Sequence, residues 1–182
     1  MNESKGQKPV PNPAQARAKI EQMKRQFEEK RKISDNLSGI KKIIGVYSGK
    51  GGVGKTTVAV NLAVTLAQTG SKVGLMDVDI DCPNVLRVLN VSGLPEQDDD
   101  QKMIPPNRWN VSVMSMGFFQ KNEEEAIIWR GPMIHNAINQ LLQATKWGDL
   151  DYLFIDLPPG TSDSPLTCLL YTSDAADERS SV

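Results

Sequence analysis

The sequence predicts an α/β fold in three layers, a mainly parallel sheet with helices on both faces. Three observations carry that prediction. Beyond residue 40, apolar strand-like runs alternate with helix-patterned runs, and strands separated by helices pair in parallel through right-handed crossovers. A glycine-rich loop joins the first strand of the alternation to its first helix. Two strands end in carboxylates, at the sheet end where such folds bind their ligands.

The elements follow in chain order. Residues 1–13 hold three prolines among polar groups, too little apolar surface to offset the entropy of ordering, so no fixed structure is expected there. Ala14 to Lys32 favours helix, with Ile20, Met23 and Phe27 at i, i+3 and i+7 forming a narrow apolar stripe among seven basic and three acidic residues. This reads as a mostly solvated helix leaning on the domain, or as a basic arm for a partner or an anionic surface. Ser34 to Gly39 reads as a linker. Lys42 to Tyr47 is the first strand, Lys55 to Thr69 a helix ended by Gly70, and Lys72 to Val78 the second strand. Pro95 to Arg108, with Asp98 to Asp100 and the Pro105-Pro106 pair, lacks periodicity and reads as a mobile loop. Trp109 to Met116 is the third strand, Gly131 to Thr145 a helix, and Tyr152 to Leu157 an apolar fourth strand.

Composition narrows the function classes. A chain of 182 residues supports one core with tails. No apolar run approaches the roughly 18 residues of a membrane-spanning helix, and Met1 to Lys8 is polar, without a secretory signal's apolar stretch. The cytoplasm is the expected compartment. The two cysteines, Cys82 and Cys168, fit neither a zinc-ligand pair nor a disulfide framework. Residues 1–42 hold 11 Lys/Arg against 5 Asp/Glu, whereas residues 43–182 hold 10 against 17. The acidic balance of the larger part argues against nucleic acid.

Gly49-Lys50-Gly51-Gly52-Val53-Gly54-Lys55-Thr56 fits G-x-x-x-x-G-K-[ST] between a strand and a helix, and Thr57 continues it into the helix. Glycines let backbone N–H groups converge on phosphate oxygens, and the helix N-terminus adds a positive dipole end. In this P-loop, Lys55 is expected to reach the β- and γ-phosphates and the Thr56 hydroxyl to hold Mg²⁺. The second strand runs into Asp77-Val78-Asp79-Ile80-Asp81, three carboxylates at period two that repel unless a cation or a turn intervenes. Asp77 and Asp79 suit a site near Mg²⁺ and water; Asp81, before Cys82-Pro83-Asn84, also suits a helix cap. Leu153-Phe154-Ile155-Asp156 has the form of a strand that holds the hydration shell of Mg²⁺ through its final carboxylate.

The Lys50-to-Thr56 run resembles the deviant Walker A of the MinD/ParA-like NTPases, in which such a lysine reaches across a homodimer to the partner's nucleotide. The resemblance implies that Lys50 is catalytic in trans, that Asp79 lies near the attacking water and that Asp77 belongs to the metal's outer shell. A cation beside the β–γ bridge would stabilise charge that grows in the transition state. Asp156-Leu157-Pro158-Pro159-Gly160-Thr161-Ser162-Asp163 is similar to the Asp-x-Pro-Pro-Gly-Thr-x-Asp signature of the Mrp/ApbC-type iron-sulfur carrier ATPases. Trp129-Arg130-Gly131-Pro132-Met133 and Trp147-Gly148-Asp149-Leu150-Asp151-Tyr152 resemble two further segments of that family, although packing alone also accounts for Trp129 and Trp147. Such carriers bind a labile [4Fe-4S] cluster between two subunits through a Cys-x-x-Cys pair. This sequence has no such pair; Cys82 reads as a packed loop thiol, and the lone His135 is assigned no role.

The family pattern stops at Thr167. Cys168-Leu169-Leu170-Tyr171-Thr172-Ser173-Asp174-Ala175-Ala176-Asp177-Glu178 resembles the translation of a transposon-end sequencing adapter, so residues 168–182 are expected to be an artefactual tail. The expected organisation is a basic extension over 1–39 and a partial P-loop ATPase domain over 40–167, truncated at its C-terminus with an open sheet edge. The resemblance implies a three-layer P-loop NTPase fold and an ATP-hydrolysing iron-sulfur cluster carrier. Lys50, Lys55 and Asp79 are its catalytic residues, Thr56, Asp77 and Asp156 its metal residues, and ATP and Mg²⁺ its cofactors. It implies a homodimer and apoprotein recipients of the cluster, with no nucleic-acid or membrane partner. The alternatives are a MinD/ParA-like positioning ATPase and a nucleotide-binding scaffold without turnover.

Overall fold

The computed structural model of the chain describes residues 13–80, 82–119 and 133–160. Helix α1 (Pro13–Leu37) leads into strand β1 (Ile40–Val46), helix α2 (Lys55–Gln68), strand β2 (Val73–Asp77) and a short helix α3 (Val85–Leu89). Two-residue strands β3 (Glu96–Gln97), β4 (Met103–Ile104) and β5 (Asn107–Arg108) precede β6 (Val111–Ser115), helix α4 (Met133–Ala144) and β7 (Leu150–Asp156). The main sheet has the order β1-β7-β2-β6-β5. All its pairings are parallel except β5 with β6, which establishes the α/β class.

The period-two pattern of the strands separates two apolar cores. Leu75, Val113 and Phe154 face α2 and α3 in one, with Ala59, Ala63 and Ala67 as small helical contacts. Met76, Met114, Leu153 and Ile155 face the other way, toward α1 and α4. A Cβ added at Gly74 would lie 2.8 Å from Leu150 Cδ1 and 3.1 Å from Trp147 Cζ3, so the central strand β2 needs glycine to let β7 and the segment before it close. Trp147 is buried; it serves the core.

The structure corrects four sequence expectations. The linker expected at Ser34–Gly39 is helical as far as Leu37, because Ile33 and Leu37 are buried in the α4-side core. Asn36 Nδ2 also donates to the carbonyls of Leu142 and Thr145, at 2.6 and 2.9 Å, at the C-terminal end of α4. Conversely, Ile20, Met23 and Phe27 do not pack on the body; they are 55, 60 and 70% exposed. The third strand begins at Val111, since Trp109 and Asn110 both have positive φ, 56° and 61°, and form the two-residue turn that closes the β5–β6 hairpin. The Pro95–Arg108 segment holds the antiparallel β3–β4 pair, anchored by Lys146 Nζ on Asp98 Oδ2 at 2.8 Å.

Candidate functional site

The carboxyl ends of four strands form one register row: Val46 opposite Asp156, Asp156 opposite Asp77, and Asp77 opposite Ser115. The glycine-rich loop rises from β1 at the head of this row and enters α2 at Lys55. Its turn needs left-handed backbone at Gly52 (φ 75°) and Gly54 (φ 88°), conformations that cost glycine no Cβ clash. The Gly54 carbonyl accepts from Val58 N at 3.0 Å, so the helix starts directly on the loop. Residues 49–54 are exposed, with their backbone available to a phosphate-sized ligand.

Two predicted residues meet on the carboxylate of a third, Asp156. Lys55 Nζ lies 2.6 Å from Asp156 Oδ1, and Thr56 Oγ1 donates to Asp156 Oδ2 at 2.6 Å. The pair is nearly dry, with side-chain exposures of 8% for Lys55 and 1% for Asp156. Burying these charges is tolerable because each answers the other and the hydroxyl takes the second oxygen. The hydroxyl and carboxylate together are hard oxygen donors at a helix N-terminus, a donor set that fits Mg²⁺.

Asp77 is fully buried, and a different set of donors holds it. Its Oδ1 accepts from Asp79 N at 3.1 Å, and its Oδ2 accepts from Val85 N and Ser115 Oγ, each at 3.1 Å. Burial raises its pKa to about 6; the nearby Asp156 adds to the rise, while the Val85 and Asp79 amides and Ser115 oppose it. Asp77 thus bridges the end of β2, the start of α3 and the end of β6. β2 ends at this residue, so Asp79 lies past the strand, half-buried, with its Oδ1 accepting from Cys82 N at 3.1 Å. Cys82 itself is exposed, correcting the expectation of packing, and its Sγ accepts from Asn84 Nδ2 at 3.3 Å.

Lys50 is exposed on the loop, and its carbonyl accepts from Ser48 Oγ at 3.0 Å. The segment after β7 is latched to the same loop: Gly160 N donates to Ser48 O at 3.1 Å, and Tyr47 Oη donates to Gly160 O. The two signature segments, some hundred residues apart in sequence, are therefore neighbours. Thr57 is exposed in the first turn of α2. Asp81, Trp129–Pro132, Thr161–Asp163 and Cys168 lie outside the described residues. Sequence reasoning missed Ser115 and Tyr47; a Ser closing a strand that runs beside an Asp-ended one was the available signal for the first.

Comparison with known proteins adds the lineage. A ParA-group sequence profile described as "NUBPL iron-transfer P-loop NTPase" matches residues 39–176. The chain is 48% identical over 132 residues to an iron-sulfur cluster carrier protein of Aquifex aeolicus, covering 72% of this chain and 36% of that one. Among solved structures, a nucleotide-binding protein of Archaeoglobus fulgidus in complex with ADP matches with a TM-score of 0.66 and 37% identity, over 79% of this chain and 55% of that one. The septum site-determining protein MinD of Pyrococcus horikoshii, complexed with Mg-ADP, matches with a TM-score of 0.52 and 27% identity, over 72% of this chain and 54% of its own. The chain spans roughly a third to a half of the length of the curated relatives it matches.

Proposed function

The chain belongs to the NUBPL iron-transfer P-loop NTPase family, and on that premise we propose that it is the nucleotide-driven part of an iron-sulfur cluster carrier. In this reading residues 40–167 bind ATP with Mg²⁺, dimerise around it in the cytoplasm and hydrolyse it, and the whole protein passes a cluster to apoproteins. The observation that carries the nucleotide reading is the convergence of Lys55 and Thr56 on Asp156, each at 2.6 Å, beneath an exposed glycine-rich loop.

The proposed mechanism is positioning and charge stabilisation, without covalent chemistry. Backbone amides of Gly49 to Gly54 cradle the phosphates, and Lys55 turns from Asp156 to the β- and γ-phosphates. That exchange frees the Asp156 carboxylate and the Thr56 hydroxyl to hold Mg²⁺, with Asp77 behind them. Bound there, the cation would neutralise charge on the β- and γ-oxygens. Asp79 orients the attacking water, and Lys50 reaches the partner's nucleotide. Asp77 supports the site by fixing the Asp79–Val85 segment.

Nucleotide titration and phosphate release on the purified chain test this reading. Lys55→Ala is expected to abolish nucleotide binding, whereas Lys50→Ala keeps binding and loses hydrolysis. Parallel loss of both activities in Lys50→Ala would argue against a lysine acting in trans. A wild-type chain that binds no nucleotide overturns the reading itself.

A further inference from the structure

Helix α1 has two ends with different surroundings. Its C-terminal end is fastened to the body: Ile33 and Leu37 are buried, Asn36 bonds the end of α4, and Lys102 Nζ donates to Asn36 Oδ1 at 2.6 Å. From Arg17 to Lys32 every residue is exposed, a projecting rod of roughly 24 Å at the usual helical rise. The stripe of Ile20, Met23 and Phe27 runs along this rod and is more than half exposed throughout.

The charges on the rod are sorted around that stripe. By the 3.6-residue period, Lys19 and Lys30 border it on one side and Arg31, Lys24 and Arg17 on the other. Glu21, Glu28 and Glu29 fall on the opposite half of the helix. Arg25, paired with Glu21 at 2.9 Å, and Lys32 stand with the acids, and the border residue Arg31 lies 4.0 Å from Asp35. An apolar strip between two cationic borders complements a layer of anionic groups lying directly over an apolar layer.

We propose that α1 is a peripheral arm that lays this face into an anionic lipid surface. The charge pattern selects this occupant. A second copy's α1 would bring five cations against five across the same stripe and be repelled. A nucleic-acid duplex offers phosphates with no apolar layer for Phe27 and its neighbours. A protein groove would have to carry acidic groups along both rims to meet the five bordering cations, whereas a headgroup region presents anionic groups on every side of a shallow apolar layer. No described helix is long and apolar enough to cross a membrane, so the contact is interfacial. This departs from the sequence expectation of no membrane partner, and it holds whether or not the chain hydrolyses ATP.

Flotation of the full chain with vesicles tests the proposal, using phosphatidylcholine alone and phosphatidylcholine mixed with phosphatidylserine. Binding is expected on the mixed vesicles only and should weaken as salt rises. Two variants separate the contributions: Ile20→Ser/Met23→Ser/Phe27→Ser removes the stripe, and Lys24→Glu/Arg31→Glu reverses one border. Each should lower vesicle binding at least tenfold with an unchanged circular dichroism spectrum, since the altered side chains are exposed. No binding to the mixed vesicles, equal binding to both kinds, or full binding by the stripe variant overturns the proposal. Tighter binding to duplex DNA than to the mixed vesicles, kept by the stripe variant, also overturns it and assigns the cations to nucleic acid.

Discussion

Asp77 and Asp156 end neighbouring parallel strands in the same register row, and both are buried. Their partners nevertheless differ in kind. Asp156 is held by a cation and a hydroxyl from the first turn of α2, groups that can leave when a better anion or cation arrives. Asp77 is held by two backbone amides and the buried Ser115, groups the fold cannot withdraw. One carboxylate is arranged for exchange and the other for support. Strand-end acids that look equivalent as sequence become different components once their donors are known.

The largest effect expected from disturbing this contrast comes from Lys55→Ala, which leaves Asp156 buried without its cation. Breaking a buried pair from one side costs about 3–5 kcal/mol, so thermal unfolding should show a large loss of stability beside the loss of nucleotide binding. Asp77 is tested by pH. Its folded pKa is raised to about 6, so the folded chain holds a proton that the unfolded chain has released. Its contribution should make the metal-free chain more stable as pH falls from about 6 to about 4, by about 3 kcal/mol at most. Asp77→Asn should flatten that part of the stability profile; an unchanged profile would mean that another group titrates there.

Ser115→Ala removes one donor to Asp77 and the acceptor of Gly117 N. It should cost about 1–3 kcal/mol in denaturant unfolding and slow hydrolysis through the Asp79 segment while leaving nucleotide affinity nearly unchanged. An equal fall in affinity would erase the distinction between support and exchange. Phe27→Ser, on the exposed rod, marks the bottom of the scale: its effect on stability should stay within about 0.5 kcal/mol.

Much of this was legible in the sequence because the signals are local. The β1–loop–α2 unit is carried by consecutive glycines and Lys55, and the apolar run ending at Asp156 marks a buried strand wherever it sits. The support role of Asp77 was not legible, since two of its three donors, Val85 N and Ser115 Oγ, arrive from other elements. The end of α1 was misplaced for a similar reason: Ser34 and Asn36 look like linker residues until α4 offers carbonyls to Asn36. Two-residue strands such as β3 and β5 carry no periodicity to read. The exposed Ile20, Met23 and Phe27 show the converse case, where a correct apolar pattern did not specify packing on the body.

The strand order β1-β7-β2 has a consequence for the order of assembly. During synthesis β1 and β2 emerge with their loop and helix well before β7, yet β7 lies between them and pairs with both. Until it arrives, neither neighbour has its inner hydrogen-bonding partner, and the apolar faces around Leu75 and Ile44 wait for Phe154. Closing β1 against β7 brings together Ile40 and Leu150, a contact of high sequence separation and therefore slow to form. The carboxylate of Asp156 rides on β7, so Lys55 acquires its counter-charge only when β7 takes its place between β1 and β2. Completion of the nucleotide site thus coincides with a late folding step, and an incompletely made chain has the phosphate loop without the acid that pairs with it.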